Sequence, residues 1–235
     1  LTTAHAHLKQ GVALYNRQQH HALASLYVTD PGVHCLSYEA AVLWHLGYPA
    51  QALKKTDEAL TLAQELSHPP SLVYAANWAT ALHEFRREAQ VAQKHAEMLI
   101  TLCADTEMQF FLAQGSIVRG WALAEQGQGE EGITQIRRSL AAYQATGAEG
   151  QQTYFLSLLA KTCGKGGQVE EGLTQLAKAF DLIETTGEHA FEAELYRLKG
   201  WLTLQRFQVS SSMFKFGTAA SRLSPTLNLG SSSRP

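Results

Sequence analysis

Apolar side chains recur along most of this chain at the spacing of an amphipathic α-helix. In residues 50–66, for example, Leu53 and Leu60 lie on one side of a helix, whereas Lys54 and Asp57 lie on the other. No segment shows the alternation of apolar and polar residues that is typical of a half-buried β-strand. The pattern therefore predicts an all-α protein.

Proline and glycine residues divide this pattern into separate helices. Prolines at positions 31, 49 and 69 are interpreted as helix starts, and glycines at 47, 127, 147, 167 and 187 as helix ends. The predicted helices are residues 2–17, 19–28, 32–46, 49–66, 70–84, 87–104, 108–126, 129–146, 150–164, 168–185 and 188–206. Because only short turns separate them, consecutive helices are expected to pack as antiparallel pairs.

One segment of the chain occurs twice at an interval of 40 residues. Residues 127–136 read GQGEEGITQI and residues 167–176 read GQVEEGLTQL, with seven identical positions. A fixed period of this length indicates stacked repeats, each too small to bury its own apolar face. The expected architecture is therefore an array of similar helix pairs.

Small residues recur at fixed distances from the turn inside each pair. With turns placed at Gly47, Glu84, Gly127 and Gly167, the repeats are about 37–43 residues long. The register predicts that seven small residues are buried at close helix contacts: Ala52, Ala89, Gly132, Gly172, Ala59, Ala96 and Ala179. This spacing is typical of tetratricopeptide repeats. The predicted fold is an all-α, right-handed superhelical array of antiparallel helix pairs, tetratricopeptide-like, with about five units.

The array is expected to end at residue 206. Residues 207–235 contain no Asp or Glu and are rich in Ser, which predicts a separate, disordered tail. The last helix would then lack the second helix that covers it. Its apolar residues Leu195, Leu198, Leu202 and Trp201 are predicted to be uncovered, and residues 188–206 to mediate self-association.

Composition narrows the possible partners. A formal net charge of −2 gives no excess of positive charge that would bind nucleic acid or an acidic membrane surface. No run of about 18 apolar residues predicts a membrane span. Three cysteines far apart in the sequence fit reduced thiols in a cytoplasmic protein. Since the sequence begins with Leu1 rather than Met, it is expected to be a piece of a longer protein.

Five segments are similar to one group of bacterial proteins. They are residues 30–38, 43–53, 82–89, 120–132 and 193–200. They resemble the helical-repeat region at the C-terminal end of signalling proteins that carry an adenylate/guanylate cyclase domain followed by an AAA-type ATPase domain. The resemblance covers about residues 2–206 and brings no catalytic residue or cofactor with it. It implies a regulatory segment that binds a protein, a peptide or the ATPase and cyclase domains of its own chain.

The residues themselves predict no catalytic, cofactor-binding or metal site. The glycines around Lys165 lack the spacing of a phosphate-binding loop, and the helix beginning at His83 has Arg87 where a zinc-binding helix has its second His. The acidic pairs at 130–131 and 170–171 begin helices, where the helix dipole favours anions. Two alternatives stay open: a free-standing adaptor, and a helical enzyme using a His/Cys cluster. His34 and Cys35 are adjacent in the sequence and therefore point to different faces of a helix, so Cys35 is expected to be a buried structural cysteine.

Partner binding is predicted on the first helix of each pair, which lines the concave groove in tetratricopeptide arrays. In the register above, three tryptophans occupy one position and other large residues stand four positions earlier. The predicted partner-binding residues are Tyr74, Trp78, Ile117, Trp121, Lys161, Arg197 and Trp201. Such a ladder suits an extended peptide or a partner helix. Alternatively, the Trp rings pack between units and are not available to a partner.

Overall fold

A computed structural model describes residues 1–104 and 106–220 of the chain, and the side chains within this part up to residue 208. Every regular element in these residues is helical. The α-helices are α1 (Thr2–Leu14), α2 (Arg17–His20), α3 (Ala24–Tyr27), α4 (Pro31–His45), α5 (Pro49–Leu66), α6 (Pro69–Phe85), α7 (Ala89–Cys103), α8 (Gln109–Glu125), α9 (Gly129–Ala145), α10 (Gln152–Lys165), α11 (Val169–Thr186) and α12 (Glu192–Ala220). Short 3-10 turns precede α3 and α12, so the helix predicted over 19–28 is broken into three pieces.

Helices α4 to α11 form four consecutive pairs. Within each unit, α4 packs on α5, α6 on α7, α8 on α9 and α10 on α11. Each first helix also contacts the first helix of the next unit, from α4 through α6, α8 and α10 to α12. This packing confirms the predicted all-α array of helix pairs. None of the described helices is long and apolar enough to cross a membrane.

The turn inside each pair falls at intervals of 40 residues. The left-handed residue of this turn is Gly47, Arg87, Gly127 and Gly167 in successive units. The turn of the second unit was predicted at Glu84, which is wrong, because the left-handed position there is occupied by an arginine rather than by the glycine that usually marks it. The four turns are therefore equally spaced, and the second unit must be realigned.

Realignment explains one failure among the small residues. Ala52, Ala59, Ala96, Ala179, Gly132 and Gly172 are buried as predicted, whereas Ala89 is only half-buried. Ala92, three residues later, is fully buried and is the true equivalent of Ala52. In the same way Trp78 becomes equivalent to Tyr38 and Val118, and no longer to Trp121.

Helices α8 and α9 approach closely at two facing glycines. A Cβ atom on Gly132 would collide with the backbone oxygen of Gly120 and would lie 2.8 Å from the Cβ of Ala124. We therefore expect Gly132→Leu to lower the free energy of unfolding by about 1–3 kcal/mol through overpacking. Urea denaturation measures the loss. Gly129→Leu in the same helix is the control, because a Cβ there meets nothing within 4 Å. Equal midpoints for both variants would contradict the close approach.

The C-terminal end differs from the prediction in two ways. Helix α12 continues to Ala220, beyond the predicted end at residue 206; the rest of the predicted tail, 221–235, lies outside the described residues. Leu195, Leu198 and Leu202 are buried rather than exposed. They face the preceding unit, as part of the hydrophobic core that α8 to α12 share. The predicted exposure of these leucines is therefore wrong, whereas self-association through residues 188–206 stays a prediction.

Candidate partner-binding groove

The first helices of successive units line a groove on a face that curves inward. The curvature is visible in contacts between α6 and α10, which lie two units apart. The Tyr154 hydroxyl on α10 reaches the Glu84 carboxylate on α6, and the ring centroids of Phe85 and Tyr154 are 5.5 Å apart. Side chains from both helices therefore meet across α8. Two adjoining cavities lie in this groove.

The first cavity is apolar and has a volume of about 290 Å³. We call it the aromatic cavity. Its walls include six aromatic rings, those of Tyr38, Trp78, Phe85, Tyr154, Phe155 and Phe191. Small residues such as Ala41 and Ala81 leave space between the rings. Aromatic walls of this kind favour burial of another apolar or aromatic group.

One polar side chain in the aromatic cavity lacks a partner. Gln114 is 4% exposed, and its Nε2 atom donates no hydrogen bond. This atom is also closed off from solvent, so a ligand in the cavity does not reach it in this arrangement. Glu188, by contrast, is occupied: its carboxylate accepts bonds from the Gln151 backbone N–H at 2.8 Å and from the Thr153 hydroxyl at 2.9 Å.

The second cavity has a volume of about 440 Å³, and most of the charged side chains of the groove line it. We call it the charged cavity. It adjoins the first through shared residues that include His45, Phe85 and Tyr154. Acidic and basic side chains from three helices line it, and Arg87 lies at the turn after α6. Their pairing determines which charge a ligand would meet.

A buried ion pair lies between α6 and α10 in the charged cavity. The Glu84 carboxylate accepts hydrogen bonds from Lys161 Nζ and from the Tyr154 hydroxyl, each at 3.1 Å. Burial raises the pKa of Glu84, and the two donors only partly oppose this. Burial and the neighbouring Glu84 raise the pKa of Tyr154 well above its usual value. Lys161 Nζ also lies 5.0 Å from the Trp121 ring centroid, which adds a cation–π contact.

Two arginines lie at the edge of the charged cavity. Arg197 forms a two-pronged pair with Glu194, with both nitrogen–oxygen distances at 2.6 Å. Arg87 forms no side-chain hydrogen bond or ion pair with any described residue. Its backbone is left-handed, with φ of 61°. The two arginines therefore differ in what they can offer a ligand.

The structure brings three of the seven predicted partner-binding residues to the groove. Trp78 lines the aromatic cavity, and Lys161 and Arg197 line the charged one. Ile117 and Trp121 are fully buried in the core, so in this structure neither reaches a partner. Both belong to the third unit, whose turn at Gly127 was predicted correctly, so packing against neighbouring helices and not a register error removes them from the groove.

The other two predicted residues pack elsewhere. Tyr74 stacks on His34 with ring centroids 4.8 Å apart. Trp201 packs on α10, where its ring lies close to the position that a Cβ on Gly164 would take. Sequence reasoning missed Tyr38, Phe85, Gln114, Tyr154, Phe191, Glu84 and Arg87. An unbroken 40-residue register would have aligned Tyr38 with Trp78.

The described residues contain neither a cluster of metal ligands nor a cysteine with a lowered pKa. Among them, no group of three or more His, Cys, Asp and Glu side chains is placed to hold a metal ion. Burial and the nearby Glu39 and Asp30 raise the pKa of Cys35, and burial raises that of Cys103 and Cys163 to about 11. Raised values keep all three as thiols, the poorly nucleophilic form.

Comparison with solved structures shows which known folds this array resembles. No protein-family model matches the chain, and no curated protein matches it. BtubC (BKLC) from P. vanneervenii is similar with a TM-score of 0.59 and 16% identity, over 100% of this chain and 97% of that one. Aspartyl phosphate phosphatase F from Bacillus subtilis is similar with a TM-score of 0.56 and 12% identity, over 81% of this chain and 50% of that one. A putative kinesin light chain with nearly identical TPR-like repeats, from Podosopora anserina, has a TM-score of 0.54 and 14% identity, over 80% of this chain and 93% of that one. At such identities the similarity is one of fold, and the fold is a tetratricopeptide-like array of helix pairs.

Proposed function

We propose that this chain is a non-catalytic interaction segment that binds a peptide or an extended protein segment in the groove of its first helices. The observation that carries the proposal is the aromatic cavity, whose walls include six aromatic rings and which adjoins a cavity with charged walls. An apolar pocket with a few placed polar groups is the usual form of a ligand site. The tetratricopeptide-like fold supports the same reading, because arrays of this kind present extended binding surfaces.

The pairing of charges favours binding over catalysis. Glu84 is held by Lys161 and Tyr154, and Arg197 is held by Glu194. A general acid or base needs a proton within reach of a reacting group, whereas these side chains already bind one another. The groove therefore offers surface and fixed charge rather than a reacting group.

The resemblance found in the sequence extends the proposal to a larger protein. In that setting the array is the regulatory segment of a bacterial signalling protein, and its occupant biases attached ATPase and cyclase domains. Those domains themselves are a second class of occupant. A cytoplasmic location, expected from the three free cysteines, belongs to the same proposal.

Peptide selection tests the proposed groove. A displayed library of random dodecapeptides is selected on the purified chain, and the selected peptides are synthesised and titrated by calorimetry. Ala81→Trp fills the aromatic cavity and is expected to weaken binding at least tenfold. Ala141→Trp places the same ring on the exposed surface of α9 and is expected to change nothing. Failure to select any peptide, or equal affinity for both variants, would overturn the proposal.

We also expect that the purified chain does not bind ATP. Lys165, in the glycine-rich turn, forms an ion pair with Glu125 of the preceding unit. Its turn follows a helix, whereas a phosphate-binding loop follows a strand. Calorimetric titration with ATP and Mg²⁺ checks the expectation. A saturable signal that disappears in Lys165→Ala would show that it is wrong.

A further inference from the structure

Arg87 is held in a backbone conformation that disfavours its side chain. The equivalent turns of the other units have Gly47, Gly127 and Gly167, all with positive φ. A residue with a side chain costs roughly 1–2 kcal/mol in this conformation relative to the right-handed one. Strain of this kind persists where the surroundings require it and is concentrated at functional sites. Because the Arg87 side chain lines the charged cavity, we look there for the reason that an arginine occupies this turn.

The Arg87 side chain contributes the uncompensated positive charge of the charged cavity. Lys161 is neutralised by Glu84, and Arg197 by Glu194. The adjacent Glu88 is not available to Arg87, since it binds Arg86 at 2.7 Å and His83 at 2.7 Å. No described acidic group is within ion-pair distance of Arg87. The cavity is therefore complementary to one negative charge, and the planar guanidinium suits a carboxylate.

The size of the aromatic cavity restricts what can enter beside that charge. A volume of about 290 Å³ is at the small end of the range for ligand pockets. It suits one large side chain of an extended peptide. Its aromatic walls favour a Phe, Trp, Tyr or Leu side chain.

We propose that the groove recognises an extended peptide in which a large apolar side chain stands beside a single carboxylate. The apolar side chain enters the aromatic cavity, and the carboxylate pairs with Arg87. The two groups belong to neighbouring positions of one ligand because the cavities share Phe85 and Tyr154. This inference rests on the proposed peptide-binding function and names the chemistry of its ligand.

The dodecapeptide library tests this chemistry with variants at residue 87. Peptides selected on the wild-type chain are expected to be enriched in Asp or Glu next to an aromatic or Leu residue. Arg87→Gly should lose the acidic enrichment but keep the apolar one, and should bind the acidic peptides at least tenfold more weakly. Arg87→Glu should favour Lys or Arg at that position. Arg87→Lys is the charge-conserving control and should retain the acidic preference.

One measurement shows whether the Arg87 variant is still folded, and a second shows which carboxylate of the peptide Arg87 binds. Arg87→Gly should have an unchanged or raised melting temperature, because glycine adopts the left-handed turn without strain. Synthetic peptides with free or amidated C-termini, and with Asp or Asn beside the apolar residue, distinguish a terminal carboxylate from a side-chain one. Selected peptides without acidic enrichment, or equal selection on Arg87→Gly, would overturn this inference and leave the peptide groove standing. If no peptide is selected at all, the proposed function fails with it.

Discussion

Lys161→Met is expected to lower the free energy of unfolding by about 3–5 kcal/mol. The substitution removes the ammonium group and leaves the Glu84 carboxylate, whose side chain is only 5% exposed, without its counter-ion. A methionine retains the apolar stem that packs beside Trp121, so the lost charge dominates the effect. Urea denaturation with linear extrapolation gives the magnitude.

Two further variants isolate the buried charge as the cause. Glu84→Gln combined with Lys161→Met should recover most of the loss, because a neutral amide is far less costly to bury than an unpaired carboxylate. Lys165→Met removes the other lysine–glutamate pair of α10, which is more exposed, and should cost about 0–1 kcal/mol. If Lys161→Met costs no more than Lys165→Met, Glu84 is not buried in solution.

The same variant has a defined dependence on pH. Burial raises the pKa of Glu84 above its ordinary value of 4.5, and removal of Lys161 takes away the main opposing charge. A carboxyl with a raised pKa stabilises the fold below its unfolded pKa, and this contribution is lost as the pH rises through the folded value. The deficit of Lys161→Met should therefore be smallest below about pH 4 and grow as the pH rises. A constant deficit would rule out Glu84 as its source.

The helices could be predicted because their signals are local. Helix α5 was predicted over residues 49–66 and spans Pro49–Leu66. A proline at its first position and an apolar stripe along one face define it without reference to the rest of the chain. The repeated segment at 127 and 167 then implied the stacking, because equal units pack in equal ways.

The register of the second unit could not be predicted in the same way. Sequence reasoning expects glycine at a left-handed turn, and Arg87 stands there instead. The turn was displaced by three residues, which aligned Trp78 with Trp121 instead of with Tyr38 and Val118. Positions where local preference and structure disagree are often functional or strained. Arg87, which led to the wrong register of the second unit, is also the residue proposed to bind the carboxylate of the peptide.

The groove itself depends on contacts that no local pattern reveals. Glu84 and Lys161 are 77 residues apart, on helices separated by α8. Whether they meet depends on how far the array curves, which accumulates from the packing of α6 on α8 and of α8 on α10. The sequence also does not show which neighbour covers an apolar stripe. For this reason the leucines of α12 were expected on the surface.

Leu202→Ala is expected to lower the free energy of unfolding by about 2–5 kcal/mol. Leu202 is fully buried, and its methyl groups fill the space left by two glycines of the preceding unit. A Cβ on Gly172 would lie 2.9 Å from one of these methyl carbons, and a Cβ on Gly164 would collide with the other. Truncation leaves a cavity that the rigid α10–α11 pair cannot close. Urea denaturation measures the loss, and hydrogen exchange of the α12 amides should show faster exchange in that helix.

A leucine two residues along the same helix is the control. Leu204 is 65% exposed, so Leu204→Ala should change stability by no more than about 0.5 kcal/mol. The difference between the two variants measures how firmly α12 is held against the preceding unit. Equal effects, together with concentration-dependent association that both variants reduce, would show that the leucine stripe is exposed in solution. Association unaffected by either variant, with a large loss only for Leu202→Ala, is the result that the buried stripe requires.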